Sequence, residues 1–236
     1  MRLREISRQK NDFISMASHE LKTPVTIFSA FAQLLLTDEP LAGKAQPNGL
    51  LSRMNAQITK LTNLINDLLD LSKIEGNKLQ YHFNYFDFNK MVQDVVDEMR
   101  LTTSGHTIDV KLVKSSNVVY GDRDRLIQVV ANLLSNAIKY PGNSDNVKVS
   151  STQNKQYVTV SVQDFGIGIS KEKQHKISSR FFRVSGVEED TYPGLGLGLY
   201  ISNEIIKHHN GTIPVKCDKG KGSTFSIRLP LRKNDK

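Results

Sequence analysis

The 236-residue chain has no tryptophan, a single cysteine (Cys217) and no long apolar run. One cysteine excludes an intramolecular disulfide and leaves no second thiol for a metal site. No stretch approaches the roughly 20 apolar residues that a membrane-spanning helix requires. The charged opening MRLREISRQKND lacks the apolar core of a signal peptide. These absences predict a soluble chain in a reducing compartment, and we expect it to be cytoplasmic.

Positive charge, by contrast, is abundant, since 32 Lys and Arg against 24 Asp and Glu give a net charge of +8. This excess favours an anionic partner such as a nucleotide, a nucleic acid or an acidic protein surface, although solvated surface lysines produce the same total. The lysines are spread over many predicted elements without interleaved stacking aromatics. Nucleic-acid binding therefore ranks last among the function classes.

Two long helical patterns occupy the first third of the chain. Apolar residues recur at helical spacing from Leu3 to about Thr37, and a second stripe runs from Leu51 to Leu71 and ends near the glycine of KIEGNK. The polar stretch DEPLAGKAQPNG between them predicts a turn. Such a hairpin carries too wide an apolar stripe to bury alone. We therefore expect a homodimer in which two hairpins form a four-helix bundle.

After residue 77 the pattern changes to short alternating strands interleaved with amphipathic helices. One helix is predicted to open near Asp87, another at Asp122, and a third to close at Asn210-Gly211. The stretch 169–192 fits neither period and predicts a long lysine-rich loop. Residues 78–236 are therefore predicted to form an α+β sandwich with helices on one face.

Three polar side chains share one face of the helix that follows Asp122. Asn132, Asn136 and Lys139 are spaced by four and three residues. An amide oxygen can bind Mg²⁺ and a lysine can neutralise phosphate oxygens, so this face suits a magnesium–phosphate site. A solvated polar face is the simpler interpretation if this helix is considered alone.

Two glycine-rich motifs follow the strands. In DFGIGI, Asp164 can accept a hydrogen bond from an exocyclic amine such as that of adenine, and Gly166 and Gly168 allow a ligand to approach closely. A plain turn is the alternative. The protein-kinase interpretation of DFG fails because the HRD, VAIK and APE segments are missing. GLGLGL, with its glycines just before a helix, suits phosphate binding but is not the dinucleotide fingerprint; its glycines are Gly194, Gly196 and Gly198.

The motifs SHELKTP, NLLSNAIKY, DFGIGI, RFFRV and GLGLGL occur in this order. They resemble the H, N, G1, F and G2 boxes of sensor histidine kinases, and the resemblance covers essentially the whole chain. It implies a dimerisation and histidine-phosphotransfer hairpin at 1–77, forming a four-helix bundle in the dimer. It also implies a catalytic ATP-binding domain at 78–236, an α+β sandwich of the histidine kinase and topoisomerase-like ATPase type.

The resemblance implies roles for the SHELKTP segment, whose proline would cost a helix interior about 3 kcal/mol. His19 would be the phosphoacceptor, because a neutral imidazole is nucleophilic near neutral pH. Glu20 would hold the proton of the other ring nitrogen. Thr23 would orient water for dephosphorylation of the partner, which implies phosphatase activity. Pro24 would provide a bend point.

The resemblance also implies the nucleotide site, with ATP and Mg²⁺ as its ligands. Asn136 would bind the metal with support from Asn132, and Lys139 and Tyr140 would contact phosphate. Asp164 would recognise adenine. The remaining implied residues shape the adenine pocket, hinge the lid over the triphosphate, anchor the lid or stabilise the transferred phosphoryl; they are Gly166, Gly168, Gly194, Gly196, Gly198, Phe181, Phe182, Arg183 and, as a second candidate for charge stabilisation, Arg180.

The implied activity is ATP-dependent transfer of phosphate to His19 and then to an aspartate in the receiver domain of a response regulator. One departure favours a second hypothesis, an ATP-responsive module without kinase activity. Ser178 and Ser179 stand where the F box usually has an aromatic anchor and a carboxylate. The opening residues suggest a truncated helical linker, so we expect any membrane anchor of the full-length protein to lie upstream.

Overall fold

The computed structural model describes residues 2–36, 47–103, 105–115, 117–139, 144–174, 176–182, 195–218 and 220–231. The chain divides into two compact units. One comprises Met1–Asn77 with Pro193–Leu197, and the other comprises Lys78–Tyr192 with Gly198–Lys236.

The first unit is a pair of contacting helices, α1 (Arg2–Leu36) and α2 (Pro47–Glu75). α1 continues through Pro24, whose side chain is buried. α2 starts one turn earlier than the predicted Leu51. The predicted turn was too long because the proline at residue 47 takes the first helical position, where its fixed φ fits and its missing N–H has no partner to lose.

An apolar stripe remains exposed along both helices of this unit. Ala17, Leu64 and Leu71 are buried, whereas a second set of large apolar side chains is about half exposed. This set consists of Ile14, Val25, Leu34, Leu51, Ile58, Ile65 and Leu69. The single hairpin therefore leaves a stripe of large apolar side chains about half exposed.

The second unit is built from seven strands and four helices among its described residues. The strands are β1 (Asn84–Asp87), β2 (Thr107–Lys111), β3 (Val118–Gly121), β4 (Asn146–Gln153), β5 (Tyr157–Gln163), β6 (Val215–Asp218) and β7 (Gly222–Pro230). The helices are α3 (Phe88–Thr102), α4 (Arg123–Lys139), α5 (Lys171–Gln174) and α6 (Gly198–His208).

Five of the strands form one mixed sheet in the order β2-β4-β5-β7-β6, in which only the β2–β4 pair is parallel. β1 and β3 form a separate antiparallel pair. Buried and more accessible residues alternate along β4, β5 and β7, so one face of the sheet carries the core. α3 contacts β2, and α4 contacts β4 and β5, which covers that face with helices as predicted.

Helix boundaries follow the predicted caps. Asp87 accepts the backbone N–H of Lys90 at 3.1 Å, and Asp122 accepts that of Arg125 at 3.1 Å. At the end of α6 the left-handed residue is Asn210, with φ of 54°, rather than the glycine that follows it. In the stretch predicted as a plain loop, Lys171–Gln174 forms the short helix α5; residues 183–192 lie outside the described residues.

No helix among the described residues is long and apolar enough to cross a membrane.

A buried histidine joins the end of α6 to the start of α4. His209, 3% exposed, accepts the backbone N–H of Asp122 at Nε2 (2.8 Å), and its Nδ1 lies 2.7 Å from the carbonyl oxygen of Ile205. Because a carbonyl only accepts, Nδ1 carries the proton and the ring is neutral. The ring also stacks on Phe83, with centroids 4.8 Å apart.

The pKa of His209 makes this contact pH-dependent. Burial lowers the pKa of His209 below its ordinary value of 6.5, and the Ile205 carbonyl and the Asp122 carboxylate oppose this shift. The neighbouring His208 adds a smaller lowering. As the pH falls, the unfolded chain therefore takes up this proton before the folded chain does. The contribution of His209 to the free energy of unfolding is fully present above pH 6.5 and declines below it.

We predict that His209→Phe lowers the free energy of unfolding at about pH 7.5 by about 1–3 kcal/mol, because the buried N–H of Asp122 loses its acceptor. At about pH 5.5 the difference in free energy of unfolding between variant and wild type should be smaller, since His209 in the wild type has lost part of its contribution to stability. Urea unfolding followed by circular dichroism at both pH values measures this change.

The matched control for this prediction is His82→Ala, which removes an exposed histidine ring of the same unit. That variant should retain the wild-type dependence on pH. If the difference in free energy of unfolding between His209→Phe and wild type stays constant or grows at acid pH, a buried neutral ring is contradicted.

Candidate functional site

The candidate site in the second unit begins where β5 ends, at the buried carboxylate of Asp164. Its Oδ1 accepts the backbone N–H of Gly166 at 2.9 Å and that of Ser223 at 3.1 Å. Its own backbone N–H donates to the carbonyl of Ser223 at 2.9 Å. The DFG turn and the start of β7 are thereby tied together, and the carboxylate is held in one orientation.

Backbone packing around this turn leaves no room for side chains at two glycines. A Cβ at Gly168 would lie 2.0 Å from the carbonyl oxygen of Asp218, and one at Gly222 would lie 2.1 Å from that of Asp164. Both glycines also have positive φ, at 64° and 86°. Gly168 of DFGIGI and Gly222 at the start of β7 thus allow the backbone segments around Asp164 to pack closely.

Two opposing effects act on the Asp164 carboxyl. Burial raises the pKa of Asp164 above its ordinary value, and the N–H groups of Gly166 and Ser223 oppose that rise by stabilising the carboxylate. These two bonds occupy only part of the acceptor capacity of an ionised carboxylate, which has about four lone-pair sites. The group can therefore still accept a hydrogen bond from a ligand amine.

The amides predicted on one helix face lie together on α4. Nδ2 of Asn136 donates to Oδ1 of Asn132 at 3.3 Å, and Nδ2 of Asn132 pairs with Oγ of Ser202 on α6 at 2.9 Å. Oδ1 of Asn136 has no hydrogen-bond partner among the described residues. Lys139 is the last residue of α4 and is half-buried.

The first turn of α6 approaches these amides closely. A Cβ at Gly198, the first residue of α6, would lie 2.4 Å from Oδ1 of Asn132. The glycine therefore permits contact between the helix start and the amide. Gly196, two residues earlier, has a φ of 66°, a conformation that glycine adopts without strain.

The F-box segment is described only in part. Arg180 lies over the ring of Tyr200 on α6, with its guanidinium carbon 5.0 Å from the ring centroid. Phe181 is half-buried with a φ of 61°, an uncommon conformation for a bulky residue. Of the predicted site residues, Tyr140, Arg183 and Gly194 lie outside the described residues.

In the first unit, His19 is an exposed residue of α1. Glu20 turns away from it, because neighbouring helical residues point about 100° apart, and its Oε2 lies 3.8 Å from Nζ of Lys60 on α2. Oγ1 of Thr23 donates to the carbonyl oxygen of His19 at 3.0 Å. The predicted bond between Glu20 and the His19 ring is therefore not made in this conformation.

Two family models match the chain. One is the His Kinase A (phospho-acceptor) domain over residues 9–77, and the other is the histidine kinase-, DNA gyrase B- and HSP90-like ATPase over residues 121–233. The chain belongs to the two-component sensor histidine kinases. The family predicted from the five motifs is thereby confirmed, and so is the fold class of a helical hairpin followed by an ATPase-type domain.

Individual relatives of this chain agree with that family. It is 32% identical to the sensor protein kinase WalK of Staphylococcus aureus strain MRSA252 over 96% of this chain and 37% of WalK. It is 32% identical to the sensor-like histidine kinase SenX3 of Mycolicibacterium smegmatis over 94% of this chain and 57% of SenX3. The chain therefore spans only part of the length of these curated relatives.

Solved structures show the same architecture. The histidine kinase AdeS of Acinetobacter baumannii matches with a TM-score of 0.66 at 29% identity, covering 91% of this chain and 98% of AdeS. The hairpin and the ATPase-type unit of this chain thus have a solved counterpart in one protein.

Sequence reasoning missed three residues that shape the site. Ser223 holds Asp164 through its own backbone N–H and carbonyl oxygen, and Gly222 leaves room for the Asp164 backbone. Ser202 accepts a hydrogen bond from the side-chain amide of Asn132. The paired glycines of KGKGST signal a special turn, which could have drawn attention to the first two. Ser202 has no motif signal, because only the packing of α6 against α4 brings it to Asn132.

We predict that Asp164→Asn lowers the affinity of the chain for ADP by about tenfold or more. A hydrogen bond to a charged group is worth about 1.5–3 kcal/mol, and the variant replaces the carboxylate by a neutral amide of equal size. Titration calorimetry measures the affinity. Asp97→Asn, which makes the same change at an exposed carboxylate of α3, is the matched control. Equal affinity in wild type and Asp164→Asn would contradict the pocket.

Proposed function

We propose that this chain is the catalytic core of an ATP-dependent protein-histidine kinase, in which His19 receives the γ-phosphoryl group and passes it to an aspartate of a response regulator. One observation carries the proposal. A single chain combines an exposed histidine in a phospho-acceptor domain with an ATPase-type unit whose buried carboxylate retains acceptor capacity for an amine.

The first step needs an accessible nucleophile. One imidazole nitrogen of His19 attacks the γ-phosphorus, the bond from that phosphorus to the bridging oxygen breaks, and ADP leaves. The proton on the other ring nitrogen must then be held or removed. Glu20 is the proposed acceptor, and reaching the ring requires its side chain to leave Lys60, which it faces at 3.8 Å.

The second unit supplies the nucleotide site. Asp164 accepts the adenine amine, and Lys139 lies one turn after Asn136, where a lysine can neutralise phosphate oxygens. The residues fit Mg²⁺, because Oδ1 of Asn136 is a hard oxygen donor with no protein partner among the described residues. Mg²⁺ is commonly held by one or two protein oxygens together with phosphates and waters, and when bound it neutralises charge on the phosphates.

Lid residues complete the proposed site. Arg183 would stabilise charge on the transferred phosphoryl group, and Gly194, Gly196 and Gly198 would hinge the segment. Arg180 rests on Tyr200 in the described conformation, so its participation requires it to leave that ring. Tyr140 follows Lys139 and is the further proposed phosphate contact.

We also propose that the hairpin forms a homodimer. Seven large apolar side chains of α1 and α2 are about half exposed, and burying apolar surface is worth about 25 cal/mol per Å². A second hairpin offers the same stripe and closes a four-helix bundle around it. The homodimer thus explains a surface that a single hairpin leaves in water.

Phosphatase activity toward the regulator is a further part of the proposal. Thr23 lies one turn after His19, and its hydroxyl donates to the His19 carbonyl at 3.0 Å. That bond places the hydroxyl along the same side of α1 as the phosphoacceptor. After rotation about χ1, the hydroxyl can instead orient a water molecule toward the regulator's phosphoaspartate.

An ATP-responsive module without kinase activity is the second candidate. Ser178 is half-buried and Ser179 is exposed, so neither supplies the aromatic anchor or the carboxylate that the F box usually carries. This candidate predicts nucleotide binding without phosphorylation of His19.

We predict that light scattering gives the chain a mass twice its 26.5 kDa. Ile58→Glu should shift the chain toward the monomer, because it places a charge in the exposed stripe of α2. Leu101→Glu makes the same change at a more exposed apolar side chain on α3, outside the hairpin, and should leave the mass unchanged. A monomeric wild type would exclude the homodimer.

We predict that the chain incubated with γ-labelled ATP and Mg²⁺ acquires a label that is lost in acid and stable in alkali. His19→Ala should abolish the label and leave ADP affinity within about twofold, because His19 lies outside the nucleotide unit. His82→Ala, an exposed histidine of that unit, should retain the label. ADP binding by the wild type without any label would favour the second candidate.

We predict that Thr23→Ala retains the His19 label but slows dephosphorylation of a labelled receiver domain by about tenfold, because water loses its orienting hydroxyl. The rate is followed by loss of label from the receiver. Thr26→Ala is the matched control, since its hydroxyl makes the same backbone bond, to the carbonyl of Lys22 at 3.0 Å. Equal rates for the two variants would exclude a special role for Thr23.

A further inference from the structure

Ser202 carries a buried hydroxyl group that contacts Asn132, one of the two amides on α4. It lies on α6, is 2% exposed, and its Oγ is 2.9 Å from Nδ2 of Asn132 on α4. Asn132 in turn accepts Nδ2 of Asn136 at 3.3 Å. The three side chains form one chain of hydrogen bonds that runs from the buried helix interface to the half-buried Asn136.

The donor and acceptor roles in these two hydrogen bonds decide which atom Asn136 presents to a ligand. When Asn132 donates to Ser202, its oxygen accepts from Asn136, and Oδ1 of Asn136 remains available. If the Asn132 amide were reversed, its nitrogen would donate to the oxygen of Asn136, and the free group would be an NH₂. Only the first arrangement offers an oxygen, which Mg²⁺ requires.

The close approach of α6 favours the first arrangement. A Cβ at Gly198 would lie 2.4 Å from Oδ1 of Asn132 but 3.1 Å from its Nδ2, so the amide oxygen is the atom nearer the helix start. The N-terminal turn of a helix carries partial positive charge and attracts oxygen rather than NH₂. Ser202 then accepts the remaining N–H on the buried side.

We propose that Ser202 is a positioning residue, which acts through Asn132 to keep the Asn136 oxygen turned toward the metal of the bound nucleotide. The inference rests on the proposed function, because it concerns the Mg²⁺ dependence of the same nucleotide site. Ser202 contacts neither nucleotide nor metal in this scheme. Its effect is confined to the orientation of two amides.

The test is the Mg²⁺ dependence of ADP binding by the full chain, measured by titration calorimetry in excess Mg²⁺ and in EDTA. The readout is the dissociation constant for ADP in EDTA divided by that in excess Mg²⁺. Ser202→Ala should reduce that ratio by about threefold to tenfold, the value of one hydrogen bond, and leave affinity in EDTA unchanged. In an Asn132→Ala background the same substitution should have no further effect, because the connection to Asn136 is already broken.

Ser151→Ala is the matched control, since Ser151 is a buried serine of β4 whose Oγ accepts the backbone N–H of Val113 at 2.9 Å. It should leave the ratio at the wild-type value. Three results would each overturn the positioning role of Ser202 alone: an unchanged ratio in Ser202→Ala, an equal loss of ADP affinity in EDTA and in Mg²⁺, or a loss that adds to that of Asn132→Ala. A wild type that binds no ADP, or whose ADP affinity does not depend on Mg²⁺, would overturn the proposed function and the role of Ser202 together.

Discussion

The ATPase-type unit depends on the hydrogen bonds that join the end of β5 to the start of β7. The backbone N–H of Asp164 donates to the carbonyl oxygen of Ser223, and the Asp164 carboxylate accepts the backbone N–H of Ser223. Gly168 and Gly222 permit this because any Cβ there would meet a backbone oxygen at about 2 Å. The same contacts that join the end of β5 to the start of β7 also orient the carboxylate proposed for adenine, so fold stability and ligand recognition share one set of atoms.

α4 combines two tasks on neighbouring faces. Its apolar face, with Leu126, Leu133 and Leu134 fully buried, holds the helix on the sheet. Its other face presents Asn132 and Asn136, whose amides bond each other and the first turns of α6. Burial of the first face fixes the position of the second, because a closely packed helix cannot rotate without creating cavities.

The hairpin distributes its apolar residues differently. α1 and α2 bury part of their stripe against each other and leave the rest about half exposed. Its chemistry lies in polar residues of α1, where His19 is exposed and Glu20 is engaged by Lys60 across the hairpin. The proposed transfer to His19 therefore involves side-chain changes on a helix that is continuous through Pro24.

The sequence by itself determined the family, the hairpin, the sheet strands and the caps at Asp87 and Asp122, because periodicity, cap residues and glycine motifs are local signals. It also predicted that Asn132 and Asn136 share a face. Only the tertiary structure decided that Glu20 faces Lys60, that Ser223 holds Asp164, and that Ser202 lies behind Asn132. The physical reason is that each of these contacts joins residues 40 to 70 positions apart, where side-chain partners depend on packing and no local pattern encodes them.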